Sequence, residues 1–218
     1  NATGHLVRVL RLGLGDACLV FNGDGADYEA RLVSLGKRGA EVEVMARHAV
    51  GNESPLHITL AQAIARGEKM DWVLQKATEL GVAAVVPLLT ERTEVKLDAE
   101  RSEKRSAHWR GVVVAACEQC GRARVPSIAA PLTLRDWLAG LAAPGWYLDP
   151  EAELGVRELE PGELTLVIGP EGGLGERDLA ALRAAGFRGL RLGPRILRTE
   201  TAGVAALAAL QALHGDLG

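Results

Sequence analysis

The last helix of this 218-residue chain constrains its fold most. From Ala202 to Leu210 the sequence reads AGVAALAAL, so a helix there has almost no polar face. A helix that is apolar all round is buried all round. Its expected extent is Thr201 to His214. Directly before it stands LGPRILRTETAG, Leu192 to Gly203, with Arg195, Arg198, Thr199, Glu200 and Thr201 crowded together. So many hydrogen-bonding groups on a buried helix read as a site rather than as ordinary surface. The helix is expected to pack under the ligand loops and against a partner subunit, with Thr199 or Thr201 as its N-cap.

The pattern upstream says what such a helix packs on. The first fifty residues read as short strands: His5–Arg11, Ala17–Asn22, Asp27–Leu35 and Ala40–Val50, separated by Gly13 to Gly15, NGDG and GKRG. They predict a small, barrel-like β domain over residues 1–53, with GNESP (Gly51–Pro55) as linker. From residue 54 to 218 strands alternate with helices. LHITLAQAI, VAAVVPLL, GWYLD, ELTLVI and RGLRL are the strands. EKMDWVLQKATEL, closed by Gly81, Asp98–Gln119, Leu132–Leu141 and ERDLAALRAA are the helices between them. That alternation predicts an α/β domain with a mostly parallel sheet covered on both faces.

Composition excludes several classes. Hydrophobic content of 48% with 24% charged residues is that of a folded soluble domain, and no apolar run approaches the roughly 20 residues of a membrane span. No signal-peptide pattern opens the chain, although Asn1 in place of Met points to a trimmed start. Cys18, Cys117 and Cys120 are too few, and odd in number, for a disulfide scaffold, which fits a reducing, cytoplasmic setting. Cys117-Glu-Gln-Cys120 has redox or half-zinc spacing. Zinc needs about four ligands, so packing on one helix face is the preferred reading and no metal is expected. The net charge of −3 gives no global nucleic-acid signal, though it leaves room for a local basic face.

Two loops follow predicted strands, where open α/β sheets bind ligands. IGPEGGLGERDL (Ile168–Leu179) is rich in glycine and opens a helix. It matches neither a Walker A loop nor G-x-G-x-x-G. Pro170 removes an amide from any phosphate nest, and Glu171 repels a phosphate. The loop therefore suits a ligand that needs close backbone approach without a polyphosphate. The second loop is Leu192–Thr199.

IGPEGG followed by LRLGPRILRTETAG resembles the C-terminal signature of the SPOUT methyltransferases, and more narrowly the RsmE type, the 16S ribosomal RNA (uracil-N3)-methyltransferases. KMDWVLQKATELGVAAVVPLLTERTEVKL and AACEQCGRARVP are similar to that family's middle segments, and HLVRVLRLGLGD to its PUA-like N-terminal domain. The resemblance covers nearly the whole chain. It implies a deep trefoil knot, homodimers with the site near the subunit interface, and S-adenosylmethionine (SAM) held largely by backbone. The matching cofactor positions are Ile168, Gly169, Pro170, Glu171, Gly172 and Gly173 with Leu192, Gly193, Ile196, Leu197 and Thr199. It also implies a few residues before Asn1, and a substrate-facing loop at Glu118, Gln119, Arg122 and Arg124.

The implied reaction puts a methyl group on N3 of a uridine. Arginine donors suit the charge that develops on the flanking carbonyl oxygens, which singles out Arg195 and Arg198. Glu118, Glu171 and Glu200 are all open as the base. N3 lies on the pairing edge, so the uridine must be unpaired or flipped out. Arg8, Arg11, Arg31, Lys37 and Arg38 are candidates for the RNA backbone, as are Arg92, Lys96, Arg101, Lys104 and Arg105. The expected partner is 16S rRNA within the assembled small ribosomal subunit. The rival readings are a SPOUT ribose 2′-O-methyltransferase acting on rRNA or tRNA and a non-catalytic RNA-binding assembly factor.

Overall fold

Alternation of apolar and polar residues in the first fifty positions yields an antiparallel sheet. The structure, a computed structural model, describes residues 12–36, 39–96, 98–160 and 162–218. Strands β1 (Ala17–Phe21), β2 (Ala26–Gly36) and β3 (Gly39–Ala49) pair in that order, with Ala17 opposite Arg31 and Asp27 opposite His48. Ala26, Ala30 and Leu32 alternate along β2 and are buried. The β1–β2 turn is held by side chains, as its Asn and Asp predict: Asn22 Oδ1 accepts the Asp24 N–H at 3.0 Å, and Asp24 Oδ1 accepts the Ala26 N–H at 3.0 Å. The strand expected over His5–Arg11 lies outside the described residues, as do Arg8, Arg11, Lys37 and Arg38.

The chain divides into two units, Asn1–Glu53 with Gly121–Val125, and Ser54–Cys120 with Pro126–Gly218. The excursion of five residues into the first unit has no sequence signature. Its backbone joins the unit through Gly25, whose N–H donates to the Ala123 carbonyl at 3.1 Å. Asn52 Nδ2 donates to the Gly121 carbonyl at 2.8 Å. Arg122 forks onto Glu53, with Nε to Oε1 at 3.2 Å and Nη2 to Oε2 at 2.6 Å. Asn52 and Glu53 of GNESP are thus tied to the five-residue excursion within the first unit.

In the second unit every strand pairing among the described residues is parallel. Strand β4 (His57–Ala63) is central, with β5 (Ala84–Leu89) and then β6 (Ser127–Ile128) on one side. On its other side come β9 (Glu163–Ile168), β8 (Trp146–Leu148) and β10 (Arg188–Leu190), while the short β7 (Leu132–Thr133) also pairs with β5. Thr133 caps helix α3 (Leu134–Ala139) by accepting the Asp136 N–H, so the segment expected to be one helix over Leu132–Leu141 begins as strand. Helix α1 (Lys69–Glu79) ends at Gly81, whose φ of 76° allows the paired closing bonds from Gly81 N–H to the Thr78 carbonyl and from Val82 N–H to the Ala77 carbonyl. Helix α2 (Ala99–Cys120) is the long helix the sequence predicts, capped by Asp98.

Successive strand residues face opposite sides, so the sheet has two cores. Ala61 and Val167 point to one, with Trp137 of α3, Leu182 of helix α4 (Glu176–Ala184) and Phe187. Leu60, Gln62 and Ile168 point to the other, against helix α5 (Thr199–His214). A Cβ on Gly203 would meet Gln62 Oε1 at 3.2 Å and Ile168 and Leu60 at 3.4 Å. The small residues of α5 therefore let helix and sheet backbones close up. Ala202, Gly203, Ala206, Leu207 and Leu210 are buried, whereas Val204, Ala205, Ala208 and Ala209 are half-buried in the single chain. The N-cap of α5 is Arg198, and Thr199 is already its first helical residue. Neither threonine is the cap, because the Thr199 hydroxyl is drawn to the sheet instead.

Leu166 is fully buried in β9, opposite Leu60 of β4 and Trp146 of β8. Leu166→Ala is expected to cost about 2–5 kcal/mol through lost transfer energy plus a cavity. Urea denaturation should show a lower midpoint with little change in slope.

Candidate functional site

Four parallel strands end at the same edge, and their carboxyl ends build one cavity of about 370 Å³. The β4 end leads to Lys69, β8 supplies Leu148, Asp149 and Pro150, and β9 and β10 supply the two loops. Ile168, Gly169, Pro170, Glu171 and Gly173 line it from β9. Leu192, Gly193, Arg195, Ile196, Leu197, Arg198, Thr199 and Glu200 line it from the β10–α5 side. Two segments far apart in sequence thus share a wall of backbone and apolar side chains, the general character of a small-molecule site.

The glycines have geometric reasons. A Cβ on Gly169 would meet the Leu174 nitrogen at 2.9 Å, because the loop turns back on itself with Gly173 N–H donating to the Pro170 carbonyl at 2.8 Å. Gly173 and Gly193 have φ of 73° and 76°, a region costly for other residues. Around Gly193 the space is open, so a larger side chain would stand in the cavity wall.

Buried hydrogen bonds tie the two loops together. Thr199 Oγ1 donates to the Gly169 carbonyl at 2.6 Å and accepts from Gln62 Nε2 at 3.0 Å. Gln62 and Thr199 are both buried. A second clasp comes from the turn after β5. Asp178 accepts the N–H groups of Glu91, at 3.1 Å, and of Gly175, at 3.0 Å. Arg92 Nη1 donates to the Gly172 carbonyl at 2.8 Å. Gly172, expected with the cofactor, thus serves the clasp rather than the cavity wall. Arg92, expected on RNA, has one nitrogen engaged in holding the loop.

One ammonium organises the charge at the cavity. Lys69, the first residue of α1, lies 3.1 Å from Glu171 Oε1 and 3.6 Å from Glu200 Oε2. The Arg66 N–H also donates to Glu171 Oε1, at 3.1 Å. Burial acts to raise the Glu171 pKa, but those amide donors, its own N–H and the Lys69 ammonium outweigh it and hold the carboxyl below its ordinary value. The glycine-rich loop is thereby pinned to the start of α1. Glu200 is less exposed, and its Oε2 is buried without a hydrogen-bond partner among the described residues.

The other expected site residues lie elsewhere. Glu118 and Gln119 are exposed near the end of α2 and line neither this cavity nor the neighbouring one. Arg122 was expected on RNA, but it is 5% exposed and its fork is engaged by Glu53, so it acts as a structural tie. Arg124 is exposed, with its guanidinium against Gly25. Cys117 is buried on the inner side of α2, and no group of three or more His, Cys, Asp or Glu is placed to hold a metal among the described residues. Sequence reasoning missed Gln62, Lys69 and Asp149. A glutamine inside the apolar run ITLAQAIA was the available signal for the first. Lys69, one of the few lysines in an arginine-rich chain, was the second.

The family model described as an RNA methyltransferase domain matches residues 52–211, and that of an RNA methyltransferase PUA domain matches residues 2–45. Ribosomal RNA small subunit methyltransferase E of Buchnera aphidicola subsp. Schizaphis graminum is 33% identical, over 99% of this chain and 89% of its own. The Bacillus subtilis protein of the same name is 31% identical, over 97% and 89%. Among solved structures, ribosomal RNA small subunit methyltransferase E of Neisseria gonorrhoeae, bound to S-adenosyl methionine, superposes with a TM-score of 0.88 at 38% identity, covering 98% of this chain and 90% of that one. A Legionella pneumophila protein in complex with bound SAM gives 0.93 at 40%, covering 99% and 90%. With both of its units matched and the cavity at the strand ends, the chain belongs to the RNA methyltransferase family that pairs a PUA domain with a methyltransferase domain.

Proposed function

We propose that this chain is a SAM-dependent methyltransferase that modifies N3 of a uridine in 16S ribosomal RNA. The observation that carries the reading is the cavity shared by Gly169–Gly173 and Leu192–Thr199. It is walled by backbone and apolar groups, pinned by Thr199, and bordered by two arginines. Its volume falls within the usual range for ligand sites of a few hundred Å³. The residues fit the cofactor. Glycine backbone allows close approach, Leu192, Ile196 and Leu197 supply apolar contact, and the Lys69 cluster carries two carboxylates for one ammonium. Such a balance favours a cation over a phosphate. Relatives crystallised with SAM support the same choice.

When bound, SAM supplies a methyl group activated by its sulfonium. This chain's residues then have three tasks: orienting the base, stabilising charge on its carbonyl oxygens, and taking the N3 proton. Arg198 and Arg195 stand at the cavity for the second task. Glu171 and Glu200 are the carboxylates beside it. Holding the reactants in line supplies much of the remaining rate enhancement.

Several finer readings accompany this one. The three-stranded sheet is part of a PUA-like barrel that grips RNA, and the β9 and β10 loops belong to a trefoil knot, as in the family the sequence resembles. The enzyme works in the cytoplasm on the assembled small subunit; no described helix is long and apolar enough to cross a membrane. It acts as a homodimer through the half-buried stripe Val204, Ala205, Ala208 and Ala209 together with Leu213, which is 43% exposed.

Incubation with labelled SAM and unmethylated small ribosomal subunits, followed by nucleoside analysis, is expected to give 3-methyluridine. A ribose methyl or no turnover would overturn the reading. Arg198→Ala should lower the single-turnover rate roughly a hundredfold or more, as loss of an oxyanion donor does, with little change in SAM affinity. Glu171 adds a pH dependence. A carboxyl with a lowered folded-state pKa contributes stability in full above its unfolded value, about 4.5, and loses it as pH falls through the lowered value. The melting temperature of the parent should therefore exceed that of Glu171→Gln at neutral pH, and the gap should close as the pH is taken below 4.5. For the dimer, Ala208→Asp places a charge in the small-residue stripe, and sedimentation should report a folded monomer.

A further inference from the structure

The cavity at the strand ends changes character along the sheet edge. Toward β8 and β10 its wall is apolar, with Leu148, Leu190 and Leu192. Toward β4 and α1 it ends in charge, at Lys69, Glu171 and Glu200. A neighbouring cavity of about 680 Å³, between α1 and α2, lies behind Lys69 and Glu200, so these two residues close that end of the site. The strand order β10-β8-β9-β4 sets the apolar and charged ends on opposite sides of β9.

Two opposite charges stand side by side at the closed end. Lys69 Nζ lies 3.1 Å from Glu171 Oε1, and their side chains keep 36% and 31% of their surface exposed. Glu200 lies on the other flank of the ammonium and is 17% exposed. Glu171 Oε1 accepts from the Arg66 N–H and from Lys69. A carboxylate offers about four lone-pair sites, so Glu171 keeps capacity to accept from a ligand. Lys69 likewise has three donors and only one bond within hydrogen-bond length to a carboxylate of the site.

We propose that the Lys69–Glu171 pair is the subsite for the amino-acid end of the cofactor: Lys69 donates to the carboxylate of that tail, and Glu171 accepts from its ammonium. The proposal rests on the SAM reading above and deepens it. An α-amino acid carries both charges on one carbon, so both must be met at one place. A lysine and a glutamate already in contact meet them together, and the four charges then alternate in sign. The other cations fit less well. Arg66 Nη2 is paired with Glu94. Arg195 and Arg198 each could take a carboxylate, but neither forms an ion pair among the described residues, so no acceptor stands beside them for the ammonium. The pair also discriminates. A nucleotide's phosphate would meet the Glu171 charge with no cation of its own to answer it. An apolar wall at one end and an ion pair at the other fix the direction in which the cofactor lies.

The test is calorimetric titration of the full-length protein with S-adenosylhomocysteine, whose sulfur is uncharged, and with methylthioadenosine, which lacks the tail. Two further thioethers of adenosine carry a propylamine or a butyrate in place of the amino acid. The parent should bind S-adenosylhomocysteine about thirtyfold or more tighter than methylthioadenosine, as two charge-assisted contacts supply. Lys69→Met should lose about tenfold on S-adenosylhomocysteine and on the butyrate thioether, and nothing on the propylamine. Glu171→Gln, which keeps an acceptor for the Arg66 N–H, should show the reverse pattern, losing on the propylamine and not on the butyrate. Both variants should bind methylthioadenosine as the parent does. Equal loss on methylthioadenosine and S-adenosylhomocysteine, or an undiminished preference for the latter in both variants, overturns the assignment. So does a parent that binds these two ligands equally, a result that needs no variant to fold and leaves the cofactor reading standing. A parent that binds neither SAM nor S-adenosylhomocysteine removes that reading, and the proposal with it.

Discussion

The hydroxyl of Thr199 is the point on which the site depends. It donates to the Gly169 carbonyl and accepts from Gln62, so one buried side chain joins the end of β9, the start of α5 and the central strand β4. A typical hydrogen bond adds only about 1 kcal/mol net, but leaving a buried donor or acceptor unmade costs about 1–3 kcal/mol. The two loops are therefore held less by attraction than by the cost of separating them. That junction exists because Gly203 lets α5 settle onto Leu60, Gln62 and Ile168. A larger residue there would lift the helix, and Thr199 would lose its reach.

The turn after β5 performs the same task from the outside. Asp178 collects amides from Glu91 and Gly175, and Arg92 takes the Gly172 carbonyl, so the glycine-rich loop is clasped on its exposed side as well. Glycine makes this loop able to bend; its neighbours decide that it bends one way. A cavity fixed before ligand arrives has less ordering to complete on binding, which favours affinity without added contacts.

Much of this was legible in the sequence. The strand–helix alternation gave the parallel sheet, because periodicity is local and burial follows it. The two loops at the ends of β9 and β10 could be singled out because glycine and polar crowding at strand ends are local signals too. What could not be read was pairing at a distance. Nothing near Arg122 announces that Glu53 takes its fork, so it looked like an exposed cation at a helix end. Nothing near Thr199 says that its hydroxyl serves the sheet and not the cap, which is why α5 begins two residues earlier than Thr201. Lys69 likewise gains its meaning only when Glu171 and Glu200, about a hundred and more positions away, come within reach.

The resulting cavity is polarised. At its α1 side one ammonium faces two carboxylates, and at its β10–α5 side Arg195 and Arg198 stand in the loop. A phosphate would be drawn to one side and repelled by the other, in keeping with Glu171 and Pro170 in the glycine loop. Uracil has the opposite demands on its two kinds of edge atom. Its N3–H needs an acceptor, and its carbonyl oxygens need donors as N3 loses the proton. A site with carboxylate on one wall and guanidinium on the other meets both needs without a neutralising ion. Glu171 is fixed by the Arg66 N–H and the Lys69 ammonium, so little reorganisation is required of this carboxylate as the charge shifts.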